Sequence, residues 1–277
     1  MIQSQLYRTP AVLAILVLSI LSPFLGAQAP AGLAATALAH PAFAWIPRSA
    51  PGFRVYFLAD SYPALHQDSL LARLPRAARH AERLIGVPPL REPIDLFFVD
   101  SREQMTALVG GRATGFAQPS ARTVFLMTHP AWRAFERHEI MHVVAEQAWG
   151  RPGPNTDWLQ EGLAQAADGR CGNYSNAGVL LALVDRQGWI SYPDVLARFR
   201  AQPDLHAYLQ SAVFVDYVRQ QFGPAPLERL WRQGATLEAS VAGRKLQDIE
   251  REWRVTLREP ERPSPAELDA IESKGCG

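Results

Sequence analysis

Cysteine is scarce in this chain, and neither sign of charge is in clear excess. The 277 residues include two cysteines, which do not have the spacing of a structural metal site closed by thiolates. The 28 lysines and arginines nearly balance the 27 aspartates and glutamates, for a formal net charge of +1. No basic run is interleaved with aromatic residues. The composition therefore gives no electrostatic case for nucleic acid as a partner.

An apolar run near the N-terminus has the features of a targeting segment. Residues 11–21 are uncharged, follow Arg8, and are too short for a comfortable membrane span. Ala27-Gln28-Ala29 and Ala37-Leu38-Ala39 offer small-residue cleavage patterns, and an uncleaved run could act as an anchor. No cysteine follows the run, which argues against a lipid-anchored lipoprotein. We expect residues 1–44 to be a signal peptide or N-terminal anchor and leader, and the protein to be exported to the periplasm or beyond the cell, with or without a membrane tether.

The segment His138-Glu139-Ile140-Met141-His142 is the most informative part of the chain. Two histidines four residues apart lie on one face of a helix, so both imidazoles can reach one metal ion. Glu139 lies one step round the helix, where it can serve as a base without ligating the metal. Pro130 is suited to the first turn of this helix. A buried helix face is also indicated by apolar residues at positions 132, 135, 140, 143 and 144.

A second helix is predicted just after the first. The glycines and prolines of residues 150–155 cannot continue a helix, so the chain must turn there. Thr156 or Asp157 can cap the next helix, which places Glu161 in about its first turn. A short return loop makes the two helices neighbours, so Glu161 can approach the histidines.

These motifs together resemble a known family. H-E-x-x-H, 18 further residues and then a glutamate within W-L-x-E-G-L-A is similar to the gluzincin metallopeptidases, with the spacing of the membrane alanyl aminopeptidase branch. The same W-L-x-E-G-L-A motif resembles that of the smaller peptidase MA-like bacterial proteins, which this chain matches better in size. The resemblance covers about residues 132–168 and implies zinc held by His138, His142 and Glu161, with Glu139 as general base. Such a ligand set leaves a fourth position open, as in catalytic zinc sites.

The resemblance also suggests helper residues. Gluzincins often supply a tyrosine or histidine from a downstream helix as a second donor to the oxyanion. Tyr208 is the candidate here, since the Q-S and F-V-x-Y that follow it are similar to the peptidase MA-like pattern; Tyr217 and His206 are weaker alternatives. Asp168 or Gln165 could accept a hydrogen bond from a ligand histidine, or could simply be exposed. The histidines at positions 40, 66, 80, 129 and 206 lack ligand spacing and are expected to be solvated.

Short strands and helices alternate ahead of the motif, and helices dominate after it. Residues 53–58 and 94–99 are predicted strands, and residues 114–117 and 123–127 a hairpin that forms an edge over the cleft. Ser101 can cap a helix through Leu108. Other predicted helices cover residues 65–85, 177–186, 193–200, 205–221, 227–233 and 246–257, and residues 259–265 are a linker or loose tail before a short terminal helix.

Cys171 and Cys276 fit an exported chain. A bridge between them would tie the C-terminal tail to the region after the two motif helices, and two free thiols are the alternative that spacing leaves open.

We therefore expect an α+β, zincin-like fold. A small mixed β-sheet lobe at 45–128 would be followed by a mainly helical lobe at 129–258, with the zinc cleft between them, and by a tail at 259–277. The expected activity is zinc-dependent hydrolysis of peptide bonds in a peptide or protein substrate. Endopeptidase action is favoured, since residues 115–119 lack the carboxylate with which aminopeptidases bind the free amine. A zinc hydrolase of a non-peptide amide and a non-catalytic metal-binding regulatory protein are the alternatives, and the intact Glu139 argues against the second.

Overall fold

The computed structural model describes residues 32–130, 133–259 and 261–276, and a five-stranded mixed sheet forms the centre of the first part of this region. Its strands lie in the order β1-β2-β3-β5-β4, with the outer pairs antiparallel and the inner pairs parallel. The strands are β1 (Trp45–Ala50), β2 (Phe53–Leu58), β3 (Ile94–Val99), β4 (Gly115–Gln118) and β5 (Thr123–Met127). The helices of this region are α1 (Leu33–Ala39), α2 (Tyr62–Leu65), α3 (Gln67–Ile85), α4 (Arg102–Val109) and α5 (Glu136–Trp149).

Both faces of the sheet are buried. Side chains alternate along a strand, so Leu96 and Phe98 of β3 face one side while Phe97 and Val99 face the other. The first side packs against α3 and α5, and the second against α1 and α4. Coverage on both faces explains why β3 and β5 are nearly continuous apolar runs rather than alternating ones.

Helices dominate after the sheet. They are α6 (Asp157–Asp168), α7 (Asn176–Gln187), α8 (Tyr192–Ala197), α9 (Asp204–Phe222), α10 (Ala225–Gln233), α11 (Leu246–Thr256) and α12 (Pro265–Lys274). Two short hairpins interrupt them, β6 (Arg170–Cys171) with β7 (Tyr174–Ser175) and β8 (Ser240–Val241) with β9 (Arg244–Lys245). This α+β architecture, a small mixed sheet followed by a helical part, confirms the predicted fold class.

Close packing between α6 and α9 depends on one glycine. A Cβ built on Gly162 would lie 2.9 Å from Val215 and 3.0 Å from the backbone of Ser211. No larger residue fits at that distance without moving one helix. Gly162 therefore sets how near α9 lies to α6, the helix that carries Glu161.

The start of the first motif helix was predicted wrongly. Helix α5 begins at Glu136, six positions after Pro130. Arg133, three positions before the helix, pairs with Asp168 and so holds α6 instead of extending α5. The second start was predicted correctly: α6 begins at Asp157 after Thr156, although no side chain caps it.

The strand β1 was not predicted. It lies at the edge of the sheet, where its residues are partly buried or exposed without a regular alternation. Its sequence therefore lacks the alternation of apolar and polar residues from which a strand is predicted. Among the described residues, no helix is both long enough and apolar enough to cross a bilayer. The predicted apolar run and the first cleavage pattern lie outside the described residues.

The C-terminal segment is not a loose tail. Cys276 forms a disulfide with Cys171, and Leu268 of α12 is only 3% exposed. Arg186 of α7 forms ion pairs with Asp269 at 2.7 Å and with Glu272 at 2.5 Å. Residues 259–265 were predicted to be a linker or loose tail, but Arg262 pairs with Asp185 of α7 at 2.6 Å and Glu259 accepts a hydrogen bond from Ser175. The short terminal helix that was predicted after them is α12, whose apolar side packs on the core.

Removing the disulfide should destabilise the protein. The bridge joins residues 105 positions apart, and loop-closure entropy gives about 4–5 kcal/mol for such a loop. Because measured effects are usually smaller, we expect Cys171→Ala/Cys276→Ser to lower the free energy of unfolding by about 2–4 kcal/mol in urea denaturation. Reductant should lower the stability of the wild type by a similar amount and leave the double variant unchanged. Equal unfolding midpoints for the two oxidised proteins would contradict this expectation.

Candidate metal centre

Helices α5 and α6 bring two imidazoles and one carboxylate together. The four-residue spacing of His138 and His142 places their rings 5.0 Å apart, centroid to centroid, on one face of α5. One oxygen of Glu161, Oε2, lies 3.3 Å from Nε2 of His138 and 3.4 Å from Nε2 of His142. The structure thus brings together all three predicted ligands, and their ligand atoms lie within 4.8 Å of one another.

These distances fit a small metal ion. Zinc binds imidazole nitrogen and carboxylate oxygen at about 2.0–2.2 Å, so neighbouring donors of a tetrahedral site lie roughly 3.3–3.5 Å apart. The observed separations of 3.3 and 3.4 Å match that edge length. Two neutral nitrogens and one carboxylate oxygen are also the donor types of catalytic zinc sites. His138, His142 and Glu161 could therefore hold one metal ion with little rearrangement.

The site has a strong local field. Burial alone would raise the pKa of the Glu161 carboxyl, but the charges of His142 and His138 and their hydrogen bonds outweigh it and hold that pKa well below its usual range. Burial alone would lower the pKa of His138, but the hydrogen bond to Glu161 and the nearby Glu139 raise it. The carboxylates therefore favour positive charge at this point, which a bound cation would supply as well as a proton does.

Glu139 lies beside the three ligand residues and beneath the edge of the sheet. Its side chain is 7% exposed, and burial raises the pKa of its carboxyl despite the opposing charges of His138 and His142. A Cβ built on Gly115 of β4 would lie 2.4 Å from Oε1 of Glu139. The edge strand therefore runs directly over this carboxylate, and only glycine leaves room for it.

Tyr208 of α9 also faces the ligand residues. Its ring is nearly parallel to that of His138, at 10°, with the centroids 6.2 Å apart. Burial and the charge of Glu161 raise the pKa of the Tyr208 hydroxyl, so it keeps its proton across the neutral range. The alternatives lie elsewhere: the Tyr217 hydroxyl is 3.3 Å from Glu252, and neither it nor His206 lines the cleft.

An arginine that the sequence did not single out completes the cluster. Arg200 lies in a 3-10 turn, Phe199–Ala201, just before α9. Its Nη2 donates to Oε1 of Glu161 at 2.9 Å, and its Nη1 donates to the Tyr208 hydroxyl at 3.1 Å. The local sequence gives no motif for this residue, and only the packing of the turn against α6 and α9 places it at the site.

The two candidates for a second ligand shell are buried but have other partners. Asp168 is 6% exposed and pairs with Arg133, which reaches it from the segment before α5. Gln165 is 5% exposed and exchanges hydrogen bonds with Asn176 of α7. The prediction that they could be exposed helix residues is therefore wrong, and both instead hold α6 to its neighbours.

One further prediction about the histidines is wrong. His206 was expected to be solvated, but it is 3% exposed. It lies on the inner side of α9, where burial lowers the pKa of its ring. The charged neighbours that suggested solvation lie on other sides of the helix.

A cleft of about 970 Å³ contains the cluster. The strand β4, with Gly115, Phe116 and Ala117, forms one wall, and the ligand residues and Glu139 lie within it. The end of α12 contributes Glu272 and Lys274, followed by Gly275 and Cys276, so the disulfide-bonded tail also borders the cleft. The volume is at the upper end of the roughly 300–1,000 Å³ range typical of ligand pockets.

Comparison with known proteins places this site in a family. A family model described as the Peptidase MA superfamily matches residues 77–259, more than half of the chain. The matched region runs from within α3 to just beyond α11 and includes every residue of the candidate metal centre. A search of curated proteins finds no significant match. The chain belongs to the Peptidase MA superfamily, a group of metallopeptidases.

Proposed function

We propose that this protein is a zinc-dependent endopeptidase of the gluzincin type. The observation that carries the proposal is the grouping of three ligand atoms within 4.8 Å of one another, beside a buried carboxylate, in one large cleft. The spacing of the ligands along the chain relates it to the membrane alanyl aminopeptidase branch. A metal bound by two histidines and a glutamate leaves a coordination position for water or substrate.

Each residue then has a chemical role. Zinc, when bound by His138, His142 and Glu161, supplies a Lewis acid that polarises the scissile carbonyl and acidifies water. Glu139 accepts a proton from the attacking water as the new C–O bond forms, and passes it to the amine nitrogen as the C–N bond breaks. Tyr208, which keeps its proton, donates a hydrogen bond from its hydroxyl to the developing oxyanion.

The edge strand favours an extended peptide as substrate. Strand β4 pairs with β5 on one side only, so its other edge can add a substrate strand along the cleft. Residues Gly115, Phe116, Ala117 and Gln118 of this strand carry no carboxylate that could bind a free amino terminus. This favours cleavage within a chain over removal of an N-terminal residue.

We also propose that the protein acts outside the cytoplasm. The apolar run at 11–21 would direct export, either as a cleaved signal peptide or as a tether to the membrane. The disulfide between Cys171 and Cys276 is of a kind that persists in oxidising compartments.

Replacing Glu139 with glutamine should separate metal binding from turnover. The amide keeps the size of the side chain but cannot accept the proton, so kcat should fall by about 10²- to 10⁴-fold while zinc content stays at the wild-type level. Zinc is measured on the purified protein, and cleavage is followed by mass spectrometry of a mixed peptide pool with blocked amino termini.

Glu136→Gln is the matched control. Glu136 lies on the same helix and its side chain is only 13% exposed, but it pairs with Arg73 and does not line the cleft. The Glu136→Gln variant should cleave the peptide pool at the wild-type rate. Cleavage by Glu139→Gln at the wild-type rate would refute its role as base. Zinc bound without cleavage of any peptide by the wild type would favour a non-peptide amide substrate or a non-catalytic role.

Gly115→Ala should reduce activity by displacing Glu139. The added methyl group would lie 2.4 Å from the carboxylate oxygen, so strand or side chain must shift. Misplacement by about 1 Å can cost roughly 100-fold in rate, and we expect a loss of that order in kcat with zinc content unchanged.

Gly111→Ala provides the comparison for this variant. Gly111 lies just before β4, and a Cβ built there has nothing within 4 Å. Its activity should be unchanged. Full activity in Gly115→Ala would mean that the close contact with Glu139 has no bearing on the reaction.

A further inference from the structure

Arg200 links the metal ligand Glu161 to Tyr208 through one guanidinium group. Nη2 lies 2.9 Å from Oε1 of Glu161, and Nη1 lies 3.1 Å from the Tyr208 hydroxyl. A guanidinium is planar and has donors at fixed directions, so the two bonds set the positions of their acceptors relative to each other. A lysine ammonium has no such fork.

The two oxygens of Glu161 have separate partners. Oε2 faces the two imidazoles, at 3.3 and 3.4 Å, whereas Oε1 accepts from Arg200. Holding Oε1 in this way leaves Oε2 pointing at the place where a metal would be shared with the histidines. Partners of this kind orient ligands and commonly change metal affinity 10- to 100-fold when removed.

The hydrogen bond to Tyr208 has a defined direction. Arginine has no acceptor, so the phenol oxygen must accept from Nη1 and its own proton is not used in that bond. Tyr208 lines the cleft, where its O–H can donate a hydrogen bond to a substrate oxygen. The position of the ring is set by its contact with Phe199, whose centroid is 5.5 Å away and which is 4% exposed.

Burial in the 3-10 turn explains why this arginine, and not its neighbour, reaches the site. Phe199 anchors the turn in the core, and Arg200 follows it toward Glu161. Arg198, two positions earlier, follows directly on α8, pairs instead with Asp194 of that helix, and has a side chain 68% exposed. Arg200 forms a further ion pair through its Nε atom, which lies 3.5 Å from Oδ2 of Asp157.

We propose that Arg200 is a positioning residue that aligns Glu161 for the metal and the Tyr208 hydroxyl for the oxyanion. The proposal rests on the proposed function: its first half needs only the zinc site, which can be measured without turnover, and its second half needs peptide cleavage as well. The Arg200 side chain is 56% exposed, so truncating it leaves no cavity in the core and should not prevent folding.

The first test measures zinc affinity by competition with a chromogenic chelator. Arg200→Met should bind zinc about 10- to 100-fold more weakly than the wild type. Arg200→Lys should recover only part of this loss, because an ammonium keeps the positive charge but lacks the rigid fork that fixes both acceptors. Arg198→Met removes a cation from the same segment and should bind zinc like the wild type. Wild-type affinity in Arg200→Met would overturn the role toward Glu161.

The second test is a double-mutant cycle on cleavage of blocked peptides at saturating zinc. Arg200→Met and Tyr208→Phe should each lower kcat more than they change KM, and the double variant should be no slower than the slower single variant. Such non-additivity is expected when one residue acts through the other. Fully multiplied losses in kcat would overturn the role toward Tyr208.

The two arms separate the positioning role from the proposed function. Arginine-dependent zinc affinity in a protein that cleaves no peptide would support the alignment of Glu161 and refute the endopeptidase proposal. Peptide cleavage with zinc affinity independent of Arg200 would support the endopeptidase proposal and refute the alignment of Glu161 by Arg200. A wild type that binds no zinc would overturn both.

Discussion

The carboxylate of Glu161 is the group on which the rest of the site depends. It is 7% exposed, and a buried carboxylate without a partner would cost several kcal/mol. The chain satisfies it on both sides: the two imidazoles of α5 face Oε2, and Arg200 holds Oε1. Because these partners come from different elements, the carboxylate connects α5, α6 and the turn before α9. A cation shared with His138 and His142 would complete this arrangement.

The packing of α6 against its neighbours fixes the position of the Glu161 carboxylate. Gly162, directly after Glu161, allows α9 to approach α6 closely enough for Tyr208 to face His138. The pair Arg133 and Asp168 holds the other end of α6 to the segment before α5. Small residues and ion pairs at helix contacts are thus used here to set the separation of groups that lie on different helices, which is what a site built on rigid elements requires.

The sheet supplies the other wall of the cleft. Gly115 brings the backbone of β4 against Glu139, so the carboxylate lies between the edge strand and the ligand histidines. Water has little access to a group that is 7% exposed, which is why burial dominates its pKa. The disulfide-bonded tail borders the same cleft and ties residues far apart in the chain to one rim of it.

The sequence by itself determined the local elements and the grouping of the three candidate metal ligands. The boundaries of β2 and β3 were predicted to the residue, since their apolar runs are bounded by clear turn residues. His138, His142 and Glu161 were singled out because helical periodicity and a short return loop bring them together, and the family resemblance implies the same three residues. Arg200, the partners of Asp168 and Gln165, the edge strand β1 and the anchored tail were decided only by the tertiary structure. Each depends on contacts between segments that are distant in the chain. A local sequence pattern does not indicate which distant side chain will contact a given residue.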